Sequence, residues 1–114
     1  MGHPFARRNA LFFVAVLACC APAQAVDIEA AKTLARRNSC GKCHDEGKDV
    51  PFKKVADKYR NDAQAETKLI KHLTTNPEVT FPDGKTKEEH KSVRTTPADD
   101  AAQLKNLIQW VLSH

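Results

Sequence analysis

Methionine is all but missing from this chain: Met1 is the only one in 114 residues. Past the first residue, no side chain can offer a thioether sulfur to a metal. Aromatic residues are few, with one Trp, one Tyr and five Phe, and the basic residues behind a formal charge of +4 are dispersed rather than clustered. The interleaved basic and aromatic surface of a nucleic-acid binder is therefore absent. The apolar stretch Ala10 to Ala18 is too short to span a bilayer comfortably. Cysteine is scarce too, four in all. Cys40 and Cys43 have no second clustered ligand pair to complete a zinc site, because His72 and His90 stand too far apart in the chain. Nor does an apolar β-rich run precede Cys40, as the strand–turn–helix setting of a thioredoxin-like redox pair requires.

What the chain does have is Cys40-Gly41-Lys42-Cys43-His44. Cys-x-x-Cys-His is the attachment signature of a c-type haem. Two thiols three positions apart lie on one side of a helical turn, where they can add to the two vinyl groups of one porphyrin. His44 then points an imidazole at the iron as the proximal ligand. Each residue has its own chemical job, so the signal is far more specific than a bare Cys-x-x-Cys.

Residues 1–25 read as a secretory signal peptide: Arg7 and Arg8, the apolar stretch, then Ala23-Gln24-Ala25 as a cleavage site, with Val26 the first mature residue. Two rivals are a poor lipoprotein box, Val16-Leu17-Ala18-Cys19, which would leave a lipid on Cys19, and a weak twin-arginine signal at Arg7-Arg8. Plain export to the periplasm is the favoured reading, with membrane contact only transient unless Cys19 is lipidated. Cleavage removes Met1, Cys19 and Cys20, so no disulfide remains to be formed even in an oxidising compartment. It also removes Arg7 and Arg8, so the formal charge falls from +4 to +2. Residues 26–114 form one domain, short enough to need a staple, which a covalently held porphyrin supplies.

Within that domain the spacing predicts a first helix from Asp27, its N-cap, to about Asn38, with Ile28, Ala31, Leu34 and Ala35 on one face. A polar loop, Asp45 to Asp49, turns at Gly47, and a carbonyl there is expected to accept the second imidazole proton of His44. Pro51 then fixes the backbone. A short helix follows with Phe52, Val55 and Tyr59, which serve either as haem wall or as ordinary core. Ala63 to about Thr75 reads as another helix, with Ala65, Leu69, Ile70 and Leu73 apolar. His72 lies beside that stripe, where a lone His is more often a hydrogen-bonded structural residue than a ligand. From Asn76 to Thr96 long-range periodicity is lost, which in so small a domain points to function. Thr86 and Glu89 match a capping box for a short helix from about Lys87 to Val93, with His90 and Val93 on one face. The last helix has Thr96 as N-cap, Pro97 at N1, and Leu104, Leu107, Ile108, Val111 and Leu112 buried. Trp110 is expected near the crossing with the first helix.

This order resembles the small bacterial class I cytochromes c of the c-551/c-552 type. Val50-Pro51-Phe52-Lys53-Lys54-Val55-Ala56-Asp57-Lys58-Tyr59 is similar to that family's Gly-Pro-x-Tyr-Lys-Asp-Val-Ala-x-Lys-Tyr, with the Gly missing and one position fewer. Leu107-Ile108-Gln109-Trp110-Val111-Leu112-Ser113 is similar to its Leu-x-x-Trp-Val-Leu-Ser. The resemblance implies an all-α fold with crossed first and last helices around one haem c, and one-electron transfer between redox proteins. It maps haem binding onto Cys40 and Cys43, the proximal ligand onto His44, and the proline of the proximal loop onto Pro51. The departure is at the sixth ligand, where the family typically has a Met before the last helix and this chain has none.

The leading expectation is therefore an exported monohaem carrier, not an enzyme, with iron held by His44 and His90 and a relatively low potential. His90 is preferred because it lies in the region that supplies the family's sixth ligand. The rival reading of His90 is a solvated residue among Lys87, Glu88, Glu89 and Lys91. His72 comes second as ligand, then an open site or a lysine such as Lys85, Lys87 or Lys91. Phe52 and Pro51 join the two cysteines and His44 as expected haem contacts. The alternative function is a gas- or small-ligand-binding haem protein with a labile or open sixth position. The expected partners are a periplasmic oxidoreductase or a membrane electron-transfer complex.

Overall fold

Helix α1 runs over Ile28–Arg37 because Asp27 begins it and a left-handed residue ends it. The Asp27 carboxylate accepts the Ala30 N–H at 3.0 Å, and Arg36 and Arg37 occupy the last turn, where the helix dipole favours cations. The computed structural model describes Gly2 and residues 25–114. The expected signal peptide, with Cys19 and Met1, therefore lies outside the described residues except for its last position and Gly2. Among the described residues no helix is long and apolar enough to cross a membrane.

The remaining elements follow in order: α2 (Gly41–His44), α3 (Phe52–Tyr59), α4 (Ala65–Thr74), β1 (Glu78–Thr80), β2 (Lys87–Glu89) and α5 (Ala101–Leu112). Helix α5 is the hub against which α1, α3 and α4 all pack. Leu104, Leu107 and Val111 of α5 meet Leu34 and Ala35 of α1 and Val93 of the long connection in one buried cluster. Ala31, Leu34 and Ala35 are buried as their spacing predicts, but Ile28 is 50% exposed. A polar clamp takes that end of the α1–α5 contact instead: Asn106 accepts the Asp27 N–H and donates to the Asp27 carbonyl, both at 2.8 Å.

Two expectations are corrected between α4 and α5. Lys87 to Val93 is not a helix. Lys87–Glu89 pairs antiparallel with Glu78–Thr80, in the register Glu78 to Glu89 and Thr80 to Lys87. The cause is local. The Asp83 carboxylate accepts the N–H groups of Lys85 and Thr86, each at 2.8 Å, together with the Thr86 hydroxyl. Gly84 takes the positive φ of 71° that the turn needs. Thr86 is thus spent on the turn and caps nothing downstream. His90 and Val93 consequently share no helical face; Val93 is buried in the core while His90 closes the hairpin.

Helix α5 also starts later than expected. Thr95, not Thr96, organises its approach, donating to the Pro97 carbonyl at 2.7 Å and accepting the Asp100 N–H at 2.9 Å. Asp99 has a φ of +54°, which stops the helix from beginning before it. Asp100 is the cap, accepting the Gln103 N–H at 2.9 Å.

Candidate haem site

The Cys-x-x-Cys-His turn is delivered by the end of α1. Ser39 sits in the left-handed region with φ 55°. Its N–H donates to the Arg36 carbonyl at 3.1 Å, and the next N–H, that of Cys40, donates to the Ala35 carbonyl at 3.0 Å. These crossed bonds are a Schellman motif. They stop α1 and turn the chain, so Cys40 starts a new turn, α2, half-buried against the core with Phe52, Val55, Leu73 and Trp110.

Val50 closes the other side. Its N–H donates to the Cys43 carbonyl at 3.1 Å. Its own carbonyl accepts the His44 Nδ1–H at 2.6 Å, the role expected of the Asp45–Asp49 loop but taken by the residue just beyond it. The imidazole is thereby held in one orientation with Nε2 as its free lone pair. Pro51 follows directly and caps α3. Phe52 opens that helix and stacks on the His44 ring, centroids 5.0 Å apart and planes within 11°. Trp110 meets Phe52 edge-on at 5.2 Å. Phe52 thus touches the imidazole directly and braces it from α3.

His90 reaches the same place from the hairpin. Its N–H donates to the Pro77 carbonyl at 2.8 Å, and its Nδ1–H donates to the Lys91 carbonyl at 3.0 Å. That second bond again leaves Nε2 unprotonated. The His44 and His90 ring centroids stand 6.1 Å apart with planes at 46°. His72, on α4, lies 4.2 Å from His90, centroid to centroid. Sequence spacing gave no sign of that contact. Contrary to the reading of His72 as a hydrogen-bonded structural residue, its ring forms no hydrogen bond among the described residues. Of the lysines weighed as ligands, Lys87 pairs with Glu78 across the hairpin at 3.4 Å.

The electrostatics favour neutral donors. Burial, then the nearby His90 and His44, push His72 down to about 4. Burial likewise lowers His90, with His44 adding to the effect. Burial raises the Cys40 thiol, and Asp45 adds to it. Disulfide oxidoreductases need an activated, low-pKa thiolate; Cys40 is the reverse, a shielded thiol.

The donor set fits a covalently bound porphyrin. His44 and His90 each keep an unprotonated Nε2, which suits axial donors to a metal that a macrocycle holds. An iron between two imidazoles requires centroids roughly 6 Å apart: two bonds of about 2 Å, plus about 1 Å from each nitrogen to its ring centre. The observed separation meets that requirement. The free thiols of Cys40 and Cys43 stand within one helical turn of His44.

Comparison with known proteins agrees. Residues 28–114 match the Cytochrome c family model. The crystal structure of the class 1 cytochrome MtoD from Sideroxydans lithotrophicus ES-1 is similar, with a TM-score of 0.68 and 52% identity, covering 78% of this chain and 97% of that one. Nothing matches among the curated proteins. With four further helices around the cysteine–histidine turn among the described residues and a match spanning nearly all of those residues, the chain belongs to the cytochrome c family, as a class I, monohaem electron carrier with covalently attached haem c.

Proposed function

We propose that this protein is exported to the periplasm and carries single electrons there at a relatively low potential, with iron held between His44 and His90. One observation carries the ligation: the two rings stand 6.1 Å apart, and each commits its Nδ1 proton to a backbone carbonyl, Val50 for His44 and Lys91 for His90. Haem c supplies the one-electron couple. Cys40 and Cys43 anchor it through thioether bonds. Val50, Phe52 and the hairpin keep the two imidazoles in place, so a change of iron charge demands little movement of the protein. An imidazole is a stronger donor than a thioether and favours the ferric state, which lowers the potential relative to His–Met relatives of similar haem exposure. The partners are redox proteins of the same compartment, an oxidoreductase or a membrane electron-transfer complex.

Electron spin resonance of the ferric protein tests the ligation. A low-spin bis-imidazole signal, with slow or no carbon monoxide binding after reduction, is the expected result. A high-spin signal, or rapid carbon monoxide uptake, would sink it. Intact mass of the exported protein should begin at Val26 and include one haem. A mass beginning at an acylated Cys19 would replace the soluble carrier with a tethered one.

A further inference from the structure

We propose that His72 is a second distal ligand, one that takes the iron whenever His90 leaves it. The inference rests on the reading of His90 as resident sixth ligand and adds a function for a residue which that reading leaves idle. His72 is half-buried beside His90, and neither of its ring nitrogens is committed to a hydrogen bond among the described residues. Such an imidazole adds little to the fold beyond its packing, and its ring nitrogens, neither of them buried away from solvent, stay open to a metal. A role toward a metal accounts for both facts.

The geometry permits exchange. The centroids of His72 and His90 are 4.2 Å apart, and one rotamer step about χ1 carries an imidazole centre by about 4 Å. Both residues also ride on one mechanical unit. The Leu73 carbonyl accepts the Val93 N–H at 2.9 Å, and the Pro77 carbonyl accepts the His90 N–H at 2.8 Å. The end of α4 and the strand leading to His90 are thus bonded together, with His72 one residue from the first bond. In the exchange one iron–nitrogen bond breaks and another forms. Both imidazoles are neutral before and after, so no net proton and no electron moves. His90 keeps its Nδ1 proton on the Lys91 carbonyl as it leaves. The consequence is an iron closed twice to outside ligands, since an incoming molecule competes with His72 even after His90 has let go.

The test uses the ferric holoproteins His90→Ala and His72→Ala/His90→Ala, read by electron spin resonance, with carbon monoxide association measured on the reduced proteins. His90→Ala is expected to keep most of its iron low-spin, with a signal distinguishable from the wild type. The double variant should be high-spin and bind carbon monoxide at least several-fold faster. Added imidazole should return the double variant to low spin, which shows that its pocket is still folded. A His90→Ala protein that is high-spin overturns the role of His72 and leaves His90 as the resident ligand. If His90→Ala is indistinguishable from wild type, the His90 reading falls, and the inference with it. Low-spin iron in the double variant without added imidazole points to a lysine and overturns the inference.

Discussion

The His44 ring is fixed from two sides, by the Val50 carbonyl that accepts its Nδ1–H at 2.6 Å and by the stacked Phe52 ring 5.0 Å away. Cys-x-x-Cys-His carries its own geometry in the sequence, whereas the orienting carbonyl was expected within Asp45–Asp49 and comes from Val50, one residue further on. His72 was opaque, because nothing in a helix stripe says which residue 18 positions away will touch it. The ligand pair sets the potential. Removing the competing imidazole and placing a thioether at position 90, as in His72→Ala/His90→Met, should raise the potential by on the order of 100 mV, a fraction of the roughly 0.8 V that axial ligands span. Redox titration of that variant against His72→Ala checks it, and an unchanged potential would mean that position 90 does not reach the iron. Ser39 is a second residue with a local cost. It holds a left-handed φ of 55° without being glycine. Ser39→Gly relieves that strain while loosening the unfolded chain, for a net stabilisation of about 0.5–1 kcal/mol. A higher melting temperature with an unaltered haem spectrum is the expected outcome.

Among the elements, the helices were legible and the hairpin was not. Apolar residues at helical spacing placed α1, α3, α4 and α5 within a few residues. β2 is charged and exposed throughout, and β1 has only Val79 half-buried between exposed Glu78 and Thr80, too short an alternation to mark a strand; the Asp83–Gly84 turn made them strands against a local helix signal at Thr86. Asp83 also gives the hairpin a pH dependence. Its carboxyl is held below its ordinary value of 3.8, first by the Thr86 side chain and then by the N–H groups of Lys85 and Thr86. A depressed carboxylate contributes stability above its unfolded value, and that contribution is lost as pH falls through the folded one. Amide exchange at Lys85 and Thr86 should therefore accelerate below about pH 4 relative to amides in α5, and Asp83→Ala should show the same acceleration at neutral pH. The strap from the hairpin to α5 is pinned to α1 by Asn38, which accepts the Arg94 N–H at 2.8 Å and donates to the Arg94 and Leu34 carbonyls at 3.1 and 2.9 Å. Two elements 56 residues apart thereby share one side chain. Asn38→Ala should cost about 1–2 kcal/mol, a drop of roughly 4–16 °C in melting temperature, and should speed carbon monoxide binding because the strap that carries His90 loosens. Loss of stability without faster binding would confine Asn38 to the fold.

The whole molecule has little to hold it together apart from its prosthetic group. Among the described residues, four of the eleven buried apolar ones are alanines, Ala31, Ala35, Ala56 and Ala65, which let helices approach closely but contribute little burial each. Cys40, Phe52, Val55, Leu73 and Trp110 lean on the core while remaining half-exposed, and the imidazoles of His44, His72 and His90 converge from α2, α4 and the hairpin. No disulfide joins Cys40 and Cys43. A domain of this size with so thin a core falls near the margin where folding needs a staple. The covalently attached haem c of this family spans that gap, and the ligation proposed above would tie the cysteine–histidine turn to the hairpin 46 residues further along. Cys40→Ala/Cys43→Ala, produced without haem, should therefore lose most of its helical circular dichroism at 25 °C and show no cooperative melt. The α1–α5 contact, the most extensive between elements, and the Asp83 turn are the parts expected to persist, as weak local structure. A cooperative transition in the ordinary mesophile range of about 45–65 °C would show instead that the α5-centred core is sufficient, and that the porphyrin is a passenger in a fold that stands without it.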